Sequence, residues 1–292
     1  MPVVDQLDGE WLRVFFACRD DENRSRISSI DVDASDPWRV LRTAKEPLLP
    51  LGERGTFDDN GMTPSCIIAA GKLRYLYYIG WNPQVSVSYR LAIGLAISED
   101  GGQTYHRYSS GPLLDRDREE PFFNTAPCVL RERDRWRMWY SSCTGWTDVN
   151  GRAEPMYNVK YAESPDGISW RRTGVVCLEC DPSMQAIGRP WVVHLGDRFR
   201  MWFSYRGLVN YRTDPQASYR IGYAESRDGL RWDRKPDPVG LERSDEGWDS
   251  VMMAYTCVFT RSGQLYCVHN GNGFGKTGIG LAVAVNNPAS AA

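Results

Sequence analysis

Trp136-Arg-Met-Trp-Tyr-Ser-Ser-Cys143 and Phe199-Arg-Met-Trp-Phe-Ser-Tyr-Arg206 are two copies of one segment, aligned without a gap. The same polar turn followed by an alternating aromatic run occurs as Leu12-Arg-Val-Phe-Phe-Ala-Cys-Arg19 and Leu73-Arg-Tyr-Leu-Tyr-Tyr-Ile-Gly80, with a weaker copy over residues 265–272. Alternation rich in aromatic and β-branched residues reads as strand. A second segment follows each copy: Ile93-Gly-Leu-Ala-Ile-Ser-Glu-Asp-Gly101, Val159-Lys-Tyr-Ala-Glu-Ser-Pro-Asp-Gly167 and Ile221-Gly-Tyr-Ala-Glu-Ser-Arg-Asp-Gly229, with degenerate copies over residues 27–33 and 279–285. Five units of about sixty residues span the chain.

Each unit carries two more strands. The preceding ones include Thr63-Pro-Ser-Cys-Ile-Ile68, Thr125-Ala-Pro-Cys-Val-Leu130, Arg189-Pro-Trp-Val-Val193 and Ala254-Tyr-Thr-Cys-Val-Phe259; the following ones carry Tyr105, Trp170 and Trp232. Four short antiparallel strands per unit, joined by Gly, Asp and Asn turns, predict an all-β five-bladed β-propeller. Residues 1–292 form one domain in this reading, and residues 2–7 complete the blade at the chain ends. Helical periodicity is not evident. Ser98-Glu-Asp-Gly, Ser164-Pro-Asp-Gly and Ser226-Arg-Asp-Gly each lead to an aromatic residue and resemble the Asp-box turns of sialidases. That resemblance gives Asp100, Asp166 and Asp228 a structural role, with Asp-Gly supplying the positive φ of a tight hairpin.

The bulk properties narrow the function. A net charge of −2 supplies no field to attract nucleic acid or an acidic membrane. No run approaches the ~18 apolar residues of a membrane helix. MPVVDQLDGEWLR lacks a basic segment followed by an apolar run, so a cytoplasmic protein is expected, with its eight Cys free and mostly buried. Cys177-Leu-Glu-Cys180 has no second Cys or His pair to complete a zinc site. No HExxH, His triad or GxSxG is present, so neither a metal nor a cofactor is expected. The glycine-rich Asn270-Gly-Asn-Gly-Phe-Gly275 lacks phosphate-loop spacing; its glycines let strands run close together. The 11 Trp, 15 Tyr and 9 Phe suit strand packing, and also stacking on sugar faces.

In a propeller the innermost strand of each blade lines the axis. The stretches that lead into these strands are Phe57-Asp-Asp-Asn-Gly-Met-Thr-Pro64, Glu119-Glu-Pro-Phe-Phe-Asn-Thr-Ala-Pro127, Met184-Gln-Ala-Ile-Gly-Arg-Pro190 and Glu246-Gly-Trp-Asp-Ser-Val-Met-Met-Ala-Tyr255. Here the chain resembles the five-bladed propeller glycosidases, the invertase-like and arabinanase-like enzymes, and more closely uncharacterised propeller proteins associated with polysaccharide assembly. Asp59-Asn60-Gly61 resembles the first-blade carboxylate motif of that clan. The resemblance implies that Asp59 is nucleophile or general base. Asp58-Asp-Asn-Gly is equally a good turn sequence.

The clan pattern is incomplete. It implies an Asp where this chain has Ala126 and a Glu general acid where it has Gly188. Asp249, Glu119, Glu120 and Glu246 are the replacement acids within reach, and Asp59, Asp249 and Glu120 form the candidate catalytic set. Asp58, Asn124, Arg189, Arg206, Trp248 and Tyr255 are the candidate substrate contacts. Arginine forks grip carboxylates and phosphates, which points to an anionic or nucleotide-linked sugar; they also pair with acidic turns of neighbouring blades. Two functions stay open: a glycosidase-like enzyme, or a non-hydrolytic propeller that binds a sugar or nucleotide sugar or performs a lyase or isomerase step. A protein-interaction scaffold finds no supporting patch. The partner expected is a small-molecule carbohydrate.

Overall fold

The period-two alternation of the repeats builds strands whose two faces are both covered, because each blade packs between two others. The computed structural model describes residues 1–285, apart from residues 8, 38 and 237–239. Blade I contains β1 (Val3–Asp5), β2 (Trp11–Arg19), β3 (Ser25–Asp33) and β4 (Val40–Thr43). Blade II contains β5 (Met62–Ala70), β6 (Leu73–Pro83), β7 (Tyr89–Ser98) and β8 (His106–Arg107). Blade III contains β9 (Asn124–Arg131), β10 (Trp136–Val149), β11 (Arg152–Ser164) and β12 (Arg171–Leu178). Blade IV contains β13 (Ala186–Leu195), β14 (Arg198–Arg206), β15 (Arg220–Ser226) and β16 (Asp233–Lys235). Blade V contains β17 (Ala254–Arg261), β18 (Gln264–Asn270) and β19 (Ile279–Val283), three strands among the described residues. Within each blade the strands pair antiparallel, and one isolated parallel bridge, Ser25 to Gly61, joins blade I to the loop that enters blade II. No helix among the described residues is long and apolar enough to cross a membrane.

The N-terminal residues expected at the chain ends form β1, the inner strand of blade I. The Asp59 loop therefore enters blade II, not the first blade. Blades I and V meet by packing, and among the described residues they share no sheet. An apolar crevice of about 220 Å3, lined by Val14, Ile30, Val40, Phe259 and Ile279 among others, marks that seam.

Inner strands are stitched to the next blade through buried side chains. The Val129 N–H donates to Cys66 Sγ (3.3 Å), Val192 N–H to Cys128 Sγ (3.1 Å) and Val4 N–H to Cys257 Sγ (3.3 Å). Trp191 Nε1 donates to Val258 O at 2.7 Å. Farther out, Tyr77 OH reaches Gly167 O and Trp139 Nε1 reaches Gly229 O, each at 2.7 Å, so Asp-box turns are the docking points of the preceding blade. Asp166 accepts from Ile168 N, Ser169 N and the Ser164 hydroxyl, and Asp228 and Asp100 repeat the pattern. The structural role expected for these three acids holds. Gly167 has φ +78°, and a Cβ there would sit 2.9 Å from the Trp136 ring and the Tyr77 hydroxyl.

Candidate functional site

The loops that enter the inner strands of blades II, III and IV run from the outer edge of one blade to the axis of the next, and an arginine on the outer strand of the entered blade pins each of them. Arg107 on β8 donates to Asp58 Oδ2 (2.8 Å) and to Pro50 O (2.5 Å). Arg172 on β12 binds Asp115 O and Asp117. Arg234 on β16 binds Glu179 O and Asp181. The sequence carries a signal for these clamps: Tyr105-His-Arg107, Trp170-Arg-Arg172 and Trp232-Asp-Arg234 share an aromatic residue two before the arginine.

This framework sorts the expected acids. Asp58 is fully buried, and Tyr78 OH (2.9 Å), Arg107 Nε and the Thr56 hydroxyl (3.2 Å) occupy its carboxylate. It anchors a loop and has no surface to offer a substrate. Glu120 is likewise buried: Tyr140 OH donates to Oε1 (2.7 Å), Ser142 OH to Oε2 (2.8 Å), and Lys160 Nζ lies 3.6 Å away. Its expected role as an acid at the axis is corrected to an anchor of blade III. Glu119, next to it in sequence, is exposed and pairs with Arg118. Asp59 differs from both. It is half-buried, with Asn82 Nδ2 at 2.9 Å on Oδ1 and Gly55 N at 2.8 Å on Oδ2, so the carboxylate is oriented yet keeps open surface.

Asp249 sits behind Trp248 as Asp58 sits behind Phe57. Gly94 and Gly280 occupy the same position of the repeat; a Cβ on either would come within 2.7 Å of the Phe57 ring or 2.2 Å of the Trp248 ring. Trp248 also stacks on His269 with centroids 5.3 Å apart, and leaves about 36% of its surface exposed. Asp249 is buried, but Oδ1 has no hydrogen-bond partner, and neither has Nδ1 of the buried His269. Burial lowers the His269 pKa, with Asp249 acting in the opposite direction.

At the axis, the register of three inner strands breaks beside a residue with positive φ: Ala126 (49°), Arg189 (53°) and Tyr255 (62°). Two of these left-handed residues are held from the preceding blade, Arg189 N by Ser141 Oγ and Tyr255 N by Ser204 Oγ, both at 2.9 Å. Ser141 and Ser204 are the same position of the aromatic repeat. Asn124 opens β9; its amide donates to Asp115 O (3.1 Å) and its buried Oδ1 has no partner. Arg189 is 1% exposed.

Arg206 is also enclosed, contrary to its expected place as a substrate contact. Its nitrogens donate to Tyr219 OH, Gly207 O and Pro155 O, and its guanidinium lies 3.8 Å over the Tyr211 ring. It serves as the hub of a tyrosine cage. Tyr219 contacts Tyr211, Tyr255 and Phe274, and Tyr157 hydrogen-bonds Tyr89. Burial keeps the Tyr89, Tyr157 and Tyr255 hydroxyls well above their ordinary pKa, so they are protonated donors. These three residues are only half-buried. Sequence reading placed Tyr255 among the contacts but missed the others, which come from the connections between second and third strands. The largest such connection is the extended β10–β11 hairpin, which carries Trp146 and Tyr157. Trp81, Tyr89, Phe123 and Trp146 continue the aromatic lining, with the Trp81 and Tyr89 centroids 4.8 Å apart. Asp59 joins this wall through Asn82, the residue after Trp81.

The fold is a five-bladed β-propeller, and solved glycoside hydrolases share it. A structure described as "Glycoside hydrolase" superposes with a TM-score of 0.74 at 17% identity, covering 97% of this chain and 86% of that one. A thermostable family-43 glycoside hydrolase gives 0.70 at 14% identity, covering 99% and 90%. The GH32 β-fructofuranosidase BmSUC1 of Bombyx mori gives 0.63 at 18% identity, covering 90% of this chain and 53% of that one. No family model matches the chain. By sequence it is 39% identical, over 98% of its length and 92% of the relative's, to the uncharacterized protein Rv1502 of Mycobacterium tuberculosis H37Rv, and equally to MT1551 of strain CDC 1551. The chain belongs to the family of Rv1502.

Proposed function

We propose that the axial mouth binds a carbohydrate and that Asp59 acts on it as nucleophile or general base in a glycosidase-like reaction. The observation that carries this reading is the pairing of an oriented, partly open carboxylate with half-buried rings on the same wall. Rings stack on the apolar faces of sugars, and the protonated tyrosines supply hydroxyl donors. Asp249 is the second carboxylate of the proposal, with Trp248 as an adjoining platform. Hydrolases of this class hold two carboxyls roughly 5–10 Å apart. Because Arg189 and Arg206 are both enclosed, neither offers an open guanidinium to a charged sugar, and the proposal does not extend to an anionic or nucleotide-linked substrate.

Ala126 and Gly188 favour a second reading. Without carboxylates at those positions, the same mouth serves a protein that holds a sugar without cleaving it. A thermal-shift screen with neutral monosaccharides and oligosaccharides, sugar acids and nucleotide sugars separates the two, because any ligand of the native state raises the midpoint by mass action. In the enzyme reading a hit is consumed by the wild type, and Asp59→Asn binds it while losing at least about 100-fold in turnover. A hit consumed by neither establishes the binding reading. A hit whose turnover survives Asp59→Asn overturns the role of Asp59.

A further inference from the structure

Arg189 is a buried cation without an anion. Its guanidinium makes two long hydrogen bonds, Nη1 to Ser65 Oγ at 3.3 Å and Nη2 to Pro2 O at 3.4 Å, and lies 5.0 Å over the Trp191 ring, while Nε has no hydrogen-bond partner. None of its recorded ion pairs or hydrogen bonds involves a carboxylate. Its electrostatic neighbours are Cys66, Cys128, Cys257, Tyr255 and the buried N-terminal amine of Met1. Burial raises the thiols of Cys128 and Cys257, the latter to about 12, whereas at Cys66 desolvation is outweighed by hydrogen bonds and the Arg189 charge, which lower it. Of the other buried arginines, Arg13 pairs with Asp31 and Arg137 with Glu132, and Arg206 is surrounded by carbonyls and tyrosine rings. An uncompensated buried charge costs several kcal/mol.

The surroundings narrow what could compensate it. Thr256 takes the register position of Ser65 in the inner-strand motif, one residue before Cys257 as Ser65 is one before Cys66. Its hydroxyl is fully buried and also lacks a partner. The unsatisfied groups of these two residues are thus an obligate donor and a hydroxyl able to donate. Both call for an acceptor. Pro2, Ser65 and the Trp191 ring enclose the guanidinium and Arg189 is 1% exposed, so an anion there has to be small.

We propose that the propeller axis binds a small inorganic anion of chloride size on Arg189, as a structural element of the ring, independently of any sugar at the mouth above it. The anion closes the charge balance at the point where the inner strands converge.

The test is thermal unfolding in sodium chloride or sodium bromide against sodium gluconate at matched ionic strength, since gluconate is too large for the site. A saturable rise in midpoint of several degrees is expected with either halide, and no rise with gluconate. Arg189→Met is expected to lose the halide increment. Should that variant fail to fold, excess 35Cl line broadening in wild-type protein, removed by bromide, reports the same site. Equal midpoints in chloride and gluconate with no excess broadening would overturn the proposal. So would a halide increment that Arg189→Met retains in full, because the effect would then arise elsewhere.

Discussion

Asp58 and Asp249 occupy corresponding places, each behind an aromatic ring seated on a repeat glycine, and they differ in partners. Asp58 is held by Arg107, Tyr78 and Thr56. Blade V has no described outer strand to supply an arginine, and Asp249 keeps an unpartnered oxygen. Removing one member of a buried ion pair costs about 3–5 kcal/mol, because the other is stranded. Asp58→Asn is therefore expected to lose about 3 kcal/mol in urea unfolding. Asp249→Asn is expected to lose no stability, since the carboxylate holds nothing that the amide would release. A comparable loss in both would show that Asp249 is an anchor after all, and would remove it from the candidate site. Glu119 and Glu120 illustrate why residue roles were hard to read from the chain. They are adjacent and chemically alike, and only Tyr140, Ser142 and Lys160, from other strands, decide which one is buried.

At the scale of the element, the inner strands combine regular pairing with a break at the axis. The left-handed conformation costs a non-glycine residue about 1–2 kcal/mol, and at Ala126 no side-chain function repays it. Ala126→Gly is expected to stabilise the protein by about 0.5–1 kcal/mol, less than the full strain because glycine also enlarges the unfolded ensemble. Chemical denaturation measures it; a destabilisation would mean that the Ala126 methyl, packed with Phe123 and Cys143, contributes more than the strain. The strands themselves were legible because alternation is a local property. The breaks were not, because Pro64, Pro127 and Pro190 mark them only once the strand is known to be innermost. The aromatic-x-Arg clamps were present in the sequence as a repeat, but their purpose depends on a loop arriving from the neighbouring blade.

The whole ring should respond to acid through its turns. Backbone and hydroxyl donors outweigh desolvation at Asp166 and hold its pKa near 2, and Asp100 and Asp228 are depressed in the same way. A carboxylate with a lowered folded pKa contributes stability above its unfolded value of about 3.9, and loses it as pH falls towards the folded value. Stability is therefore expected to decline between about pH 5 and pH 2, as unfolded carboxylates take up protons first. His269 adds an earlier, smaller decline below its ordinary value of 6.5, because burial favours its neutral form. Urea unfolding across this range checks both, with His269→Gln expected to remove the shallow upper part and leave the steep lower one. Since Asp-box turns receive Tyr77, Arg137 and Trp139 from preceding blades, acid should loosen the contacts between blades before the sheets within them.

The sequence by itself determined five repeating four-strand units, their Asp-box turns and the stretches that reach the axis, because period-two alternation and turn chemistry act between near neighbours. Its resemblance to the propeller glycosidases also implied carboxylates at the positions of Ala126 and Gly188. Tertiary structure alone decided which charged groups are enclosed and which are open. Asp59 keeps a free surface while Asp58, one residue earlier, is sealed by an arginine 49 positions away. The Arg206 cage and the solitary Arg189 arise the same way, from side chains of several blades meeting where the ring closes. Desolvation depends on everything that surrounds a group, and around a propeller axis those surroundings come from all five units at once.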